Sequence, residues 1–183
     1  MYTPNVSVMQ PTIIHIKYIM GKQMNELEYE SFFSFDKSSS KYKIQLTRAI
    51  KFLLSKQRVI EAKYHFLELE KISPSHRVVM ELGIELGIKT FDRAMFANYH
   101  NLLIDNKKYN QHDLALKRIV YYLSINDKEN SISNIASLLD DMSLNDDRLL
   151  KLYNMIYHEL KEDSLLVKAD DVLKKKKLRI IKG

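Results

Sequence analysis

The sequence predicts a mostly α-helical protein built from stacked antiparallel hairpins. Three observations predict it. Among 183 residues there are only 4 Gly and 3 Pro, too few breakers for the many tight turns of a β-sandwich or barrel. From Lys43 onward, apolar residues recur at i, i+3, i+4 and i+7, the spacing of one helix face. Short polar stretches interrupt those stripes and supply the connectors. Hydrophobic residues are 45% of the chain and charged residues 28%, ordinary globular proportions that suit one domain with a small appendage.

Residues 1–40 read as an N-terminal extension. Ile14, Ile16 and Tyr18 alternate with His15 and Lys17, a period of two that suits a short strand. "ESFFSF" (Glu30 to Phe35) pairs with it across "GKQMNE"; an amphipathic segment packed on the body is the alternative. "DKSSSK" leads as a loop into the first strong helix, with the stripe Leu46, Ala49, Ile50, Leu53 and Leu54. After "SKQR" a second helix carries Val59, Ala62, Phe66 and Leu69. It stops at Ser73, because Pro74 disfavours helical geometry at the residue before it. A third helix from about Ser75 to Ile88 presents Val79, Leu82, Gly83 and Leu86. A fourth, from about Phe91 to Ile104, presents Phe91, Ala94, Met95, Leu102 and Leu103. A fifth carries Leu116, Ile119, Val120 and Leu123. Ser131 caps a sixth, with Ile132, Ile135, Ala136 and Leu139. Asn145 caps a seventh, with Asp146 and Asp147 on its N-terminal dipole and the stripe Leu149, Leu152, Tyr153, Ile156 and Leu160. The last stretch, Leu165 to Ile181, reads either as strand–turn–strand or as a helix end with a basic tail.

The segment "KQRVIEAKYHFLELEKISP" (Lys56 to Pro74) carries a resemblance. With the helix before it, it is similar to one unit of the tetratricopeptide repeat, a helical hairpin of about 34 residues. Leu53 falls at a large core position, Ala62 at the small crossing position, Phe66 four residues on, and Pro74 closes the unit. "ELGIELGIKTFDRA" resembles a second, degraded unit, opened by Leu82-Gly83 with Ala94 at the crossing. The resemblance covers these two units, roughly 60 of the 183 residues. A third unit from near Gln111 keeps the amphipathic pattern but almost none of the signature, and residues 41–126 are expected to form the hairpins. The resemblance implies an adaptor or scaffold that binds a protein or peptide, or self-associates, through a concave groove lined by first helices. Polar positions expected to be exposed there are Gln45, Arg48, Lys51 and Glu85.

Residues 127–173 are expected to form further helices. The order within 114–183 is helix (Leu114 to Ile125), short helix (Ile132 to Leu139), longer helix (Asn145 to Leu160) and candidate strand–turn–strand, and it is similar to that of a winged helix. That implies the alternative function, a nucleic-acid-associated regulator. Asp146 and Asp147 would face phosphates at the start of its third helix, which is unfavourable. The net charge of +6 resides in the 174–183 tail: Lys174, Lys175, Lys176, Lys177, Arg179 and Lys182. Without them 23 basic residues balance 23 acidic ones. These six are the nucleic-acid candidates, through nonspecific phosphate contact.

Cys is absent, which removes disulfides, thiolate catalysis and Cys-ligated metals and fits a reducing compartment. The six His have no metal-binding spacing, and neither a P-loop nor a nucleophile elbow is present. The paired aspartates sit side by side, where helix neighbours do not face each other. Expected, then, is a non-enzymatic cytoplasmic protein with no cofactor and no metal. "TIIHIKYIMG" is too short to span a bilayer and lacks signal-peptide flanks, so no membrane association is expected.

Overall fold

The computed structural model describes residues 24–106, 109–141 and 143–176. Among them the chain forms nine α-helices and no strand: α1 (Glu26–Phe32), α2 (Tyr42–Ser55), α3 (Val59–Ile72), α4 (Arg77–Lys89), α5 (Arg93–Ile104), α6 (Gln111–Ser124), α7 (Lys128–Leu139), α8 (Asp146–Met155) and α9 (Asp163–Lys175). A π-helical turn, Ile156–Leu160, continues α8. The chain divides into two compact units, Met1–Leu86 and Gly87–Gly183.

In the first unit, "ESFFSF" follows the second of its two expected readings, an amphipathic segment packed on the body: it enters α1 rather than a strand. The reason is local: the Asn25 side chain accepts the Glu28 N–H, and the Glu28 carboxylate accepts the Asn25 N–H at 2.8 Å. Two otherwise unpaired donors are satisfied at once, which starts a helix. Tyr29 and Phe32, three residues apart, bury while Phe33 stays outside. Ile14, Ile16 and Tyr18 lie outside the described residues. The α1 helix rests on α2, where Phe32 stacks on Tyr42 at 5.9 Å. The α2–α3 hairpin is the expected one. Leu46, Ala49, Ile50 and Leu53 of α2 and Ala62, Phe66 and Leu69 of α3 are fully buried. Burying each large side chain contributes about 1.5–3 kcal/mol relative to exposing it. Ser73 leaves helical geometry (φ −153°, ψ 61°), the stop that Pro74 imposes. Val79, Leu82 and Leu86 are the buried stripe of α4.

In the second unit, side-chain caps open four helices in turn. Asp92 accepts from Met95 N, Asn110 from Asp113 N, Asp127 from Asn130 N and Asn145 from Arg148 N. The α7 cap is therefore Asp127, not Ser131; Ser131 is buried one turn inside, donating to the Asp127 carbonyl at 2.7 Å. The core joins Leu116 and Ile119 of α6, Ile135 and Leu139 of α7, Leu149 and Leu152 of α8, and α9. Of the two readings of the stretch from Leu165, the chain follows the helix and not the strand–turn–strand: it is helical through Lys175. Leu165, Ala169, Val172 and Leu173 bury one face of α9, a 3.6-residue stripe that two apolar clusters in the sequence obscured. Lys168 of α9 reaches Asp140 at 2.7 Å and the Ala136 carbonyl at 3.1 Å, a second donor to an oxygen that also accepts the Asp140 N–H.

Hairpins close on a common turn. Gln57, Phe91, Asn126 and Lys161 hold φ near +53 to +59°, at intervals of 34, 35 and 35 residues. Gln57, Phe91 and Asn126 each sit two residues past a helix end. The next N–H reaches back to the helix: Arg58 to Leu53, Asp92 to Gly87 and Asp127 to Tyr122, each at 2.9 Å. This is the Schellman arrangement, with the left-handed residue at its centre. None of the four is Gly, so the glycine signal for a helix stop is missing from the sequence.

The turn also shows where helices touch within a hairpin. Ala62 lies five residues past the left-handed residue Gln57 and is fully buried, as the resemblance implies. Ala94 is exposed, so the expected second crossing at Ala94 is wrong. Five residues past Phe91 comes Phe96, and it meets Gly87: a Cβ on Gly87 would lie 2.7 Å from Phe96 N and 2.8 Å from its Cα. The small partner has moved to the first helix and the large one to the second. The buried face of α5 is correspondingly Phe96, Tyr99, His100 and Leu103, while Phe91 and Leu102, expected in the core, are exposed.

Candidate functional site

The residues expected to line a groove are unequally available. Gln45 is buried, 3% exposed, and accepts from Arg48 Nη1 at 3.3 Å, so its expected exposure is corrected. Arg48 and Glu85 are half-buried, and Lys51 is exposed. Of the basic candidates, Lys174 and Lys175 belong to the last turn of α9, and Lys174 lies 3.4 Å from Asp171. Lys176 bonds the Leu144 carbonyl. Lys177, Arg179 and Lys182 lie outside the described residues.

Sequence reading missed the outer face of α3. Ile60, Tyr64 and Leu67 follow each other at i, i+4 and i+7, with 88%, 72% and 45% of their surface exposed. The helix is thus apolar on two sides: Ala62, Phe66 and Leu69 face the core, and this stripe faces out. The signal was present in the spacing, but the stronger core stripe absorbed it. Beside it, Phe33 at the C-cap of α1 is also exposed, with its ring centroid 6.0 Å from that of His65. Buried His65 is held by the Tyr29 hydroxyl at 3.2 Å, and burial pushes its pKa down, keeping it neutral. Arg58 forks onto Glu61 with two 2.7 Å bonds and reaches Glu26 at 2.8 Å, tying the start of α3 to α1.

In the second unit, His112, Asp141 and Ser143 meet. Asp141 Oδ2 lies 2.7 Å from His112 Nε2, and Ser143 Oγ lies 3.4 Å from the same nitrogen while donating to Asp141 Oδ1 at 2.7 Å. A nucleophile relay needs Ser and Asp on opposite ring nitrogens. Here both approach one, so the cluster is a clasp between α6 and the α7–α8 connector. The Ser143 and His112 bonds hold the Asp141 carboxyl down at about 2. A second clasp joins α6 to α8: Arg148 grips Asp113 with bonds of 2.8 and 3.0 Å, lowering the Asp113 pKa.

The same unit holds a cleft of about 580 Å³ between α5 and α6, with the first turn of α7 at its edge. Arg93, His100, Arg118, Tyr122 and Asp127 line it. Phe96 and Tyr121 stack at 4.1 Å and 7° as an apolar wall. His100 is 4% exposed, and its Nε2 and the Arg118 Nε are buried without a hydrogen-bond partner. Among the described residues no group of three or more His, Asp or Glu could hold a metal ion, and no helix is long and apolar enough to cross a membrane.

Fold and surfaces together define an all-α protein of packed helical hairpins. No family model, curated protein or solved structure matches the chain.

Proposed function

We propose that the protein is an adaptor or scaffold of the tetratricopeptide-like kind, binding a protein segment through its helical faces. The observation that carries this reading is the outer stripe of α3, Ile60, Tyr64 and Leu67, on a helix whose opposite side is already buried. Large apolar side chains aligned on an exposed face mark interaction surfaces. They supply area for a partner helix that reads i, i+4, i+7 anchors. The recurrence of the left-handed turn at 34–35 residues supports the repeat, since that interval matches the 34-residue hairpin unit.

The test is recovery of a partner from native lysate by the intact protein and by the Ile60→Glu, Leu67→Glu variant, alongside sedimentation of both. The intact protein recovers a stoichiometric protein partner, and the variant loses it while keeping its helical circular dichroism. No stoichiometric partner, together with a monomeric intact protein, would overturn the reading.

A further inference from the structure

The cleft between α5 and α6 holds polar groups that its own unit leaves unused. Arg118 is half-buried, its Nε is shut from solvent and unbonded, and no carboxylate among the described residues pairs with it. A guanidinium N–H withdrawn from water without an acceptor is unfavourable. The single acid lining the cleft, Asp127, is committed elsewhere: one carboxylate oxygen takes the Asn130 N–H at 3.1 Å and the other the Asn130 amide at 2.7 Å. Arg93, at the mouth, is exposed. His100 bonds the Leu114 backbone on one side and presents an unpartnered Nε2 on the other.

These groups narrow the ligand. A guanidinium fork matches a planar carboxylate through two parallel bonds. The stacked Phe96–Tyr121 wall suits the methylenes of an acidic side chain. At the α7 end a doubly charged phosphate would meet about twice the repulsion from the Asp127 carboxylate that a singly charged carboxylate meets. His100, neutral through burial and the nearby Arg118 charge, offers a lone pair for a ligand N–H. A cation and an acceptor side by side fit an acidic residue together with a backbone amide.

We propose that this cleft seats a Glu or Asp side chain of an acidic protein segment, with Arg118 gripping the carboxylate and His100 Nε2 accepting a backbone N–H. The proposal deepens the adaptor reading and rests on it. It names a second contact point and the charge of the segment bound.

The full chain is titrated by fluorescence anisotropy with a fluorescein-labelled peptide of alternating Glu and Ala, and with its Gln counterpart. The Glu peptide binds saturably and the Gln peptide at least ~10-fold more weakly, the order expected for loss of a charge-assisted fork. Arg118→Gln weakens the Glu peptide ~10-fold, and Arg118→Lys, which keeps charge but loses the fork, falls between. Lys175→Gln, an equal charge change on exposed α9, leaves binding unchanged. Equal weakening by Arg118→Gln and Lys175→Gln would mean bulk attraction and overturn the proposal. So would equal binding of the two peptides, or no saturable binding. Should Arg118→Gln lose its helical signal, Arg118→Lys decides alone. If the peptide result fails while the α3 variant still abolishes partner capture, only the cleft assignment falls. If the intact protein also captures no partner and is monomeric, the adaptor reading falls with it.

Discussion

Small residues at helix crossings decide where these hairpins can close, and Gly87 is the sharpest case. A Cβ there would press on the Phe96 backbone at 2.7 and 2.8 Å, and backbone cannot step aside as a rotamer can. Overpacking of this kind costs about 1–3 kcal/mol, while Gly→Ala inside a helix returns about 1 kcal/mol. The clash wins. Gly87→Ala lowers the melting temperature, at about 2–4 °C per kcal/mol for a chain of this size. Ala62→Leu, which fills the buried crossing of the first hairpin, is costly on the same grounds. Ala94→Leu, at an exposed position, stays within about 0.5 kcal/mol. Thermal melts of the three variants check this, and an Ala94→Leu penalty as large as that of Ala62→Leu would contradict the crossing assigned here. The first hairpin was legible because Ala62, Phe66 and Pro74 carry familiar roles in order. The second was misread because Gly87 and Phe96 exchange the small and large sides, a swap that preserves packing and destroys the pattern.

At the level of the element, the turn that ends each first helix deserves the closest test, since non-glycine residues occupy its left-handed position. Phe91 holds φ 54° with 62% of its surface exposed. It therefore bears the steric cost of that conformation, about 1–2 kcal/mol, with little burial in return. Glycine removes the cost but loosens the unfolded chain by about 0.4–1 kcal/mol. Phe91→Gly is thus expected to stabilise by about 0.5–1 kcal/mol. Asn126→Gly, replacing a residue that tolerates this region through local hydrogen bonding, changes little. Urea unfolding measures both, and a destabilised Phe91→Gly would show that the aromatic ring contributes more than its exposure implies. Such turns explain which elements the sequence revealed. Helices α2, α3, α4, α6 and α8 were legible from their stripes. The α1 and α9 segments stayed open between a strand and an amphipathic or helical reading: consecutive aromatics in "ESFFSF" masked the Asn25–Glu28 capping box, and Leu165–Val167 hid the spacing from Leu165 to Ala169, Val172 and Leu173. The α5–α6 cleft was out of reach for another reason, and so was the exposure of the α3 stripe, of which the sequence showed only the spacing. Exposure and missing partners are properties of packed neighbours, and no spacing rule reports them.

Across the whole molecule, buried titratable groups from both units act on one measurable quantity, the dependence of stability on pH. His65 and His100 are both pushed below the ordinary histidine value, each first by burial. The folded chain therefore resists protonation that the unfolded chain accepts at about 6.5. Between the unfolded and folded values the unfolded state binds more protons, so stability falls as pH drops below about 6.5. Asp113 and Asp141 are lowered by their bonds to Arg148 and to Ser143 and His112. Their contribution is complete above the ordinary carboxylate value, about 4, and is lost as pH falls through the folded values, about 2 for Asp141. Two limbs follow: a first decline in melting temperature from about pH 6.5 toward 5, and a second below about pH 4. The His65→Gln, His100→Gln double variant separates them. It flattens the first limb and leaves the second, because the carboxylate clasps are untouched. The slope is the readout, so a uniform loss of stability from repacking does not obscure it. A wild-type melting temperature constant from pH 7 to 5, or a double variant with the wild-type slope, would refute the assignment of buried neutral histidines to both units.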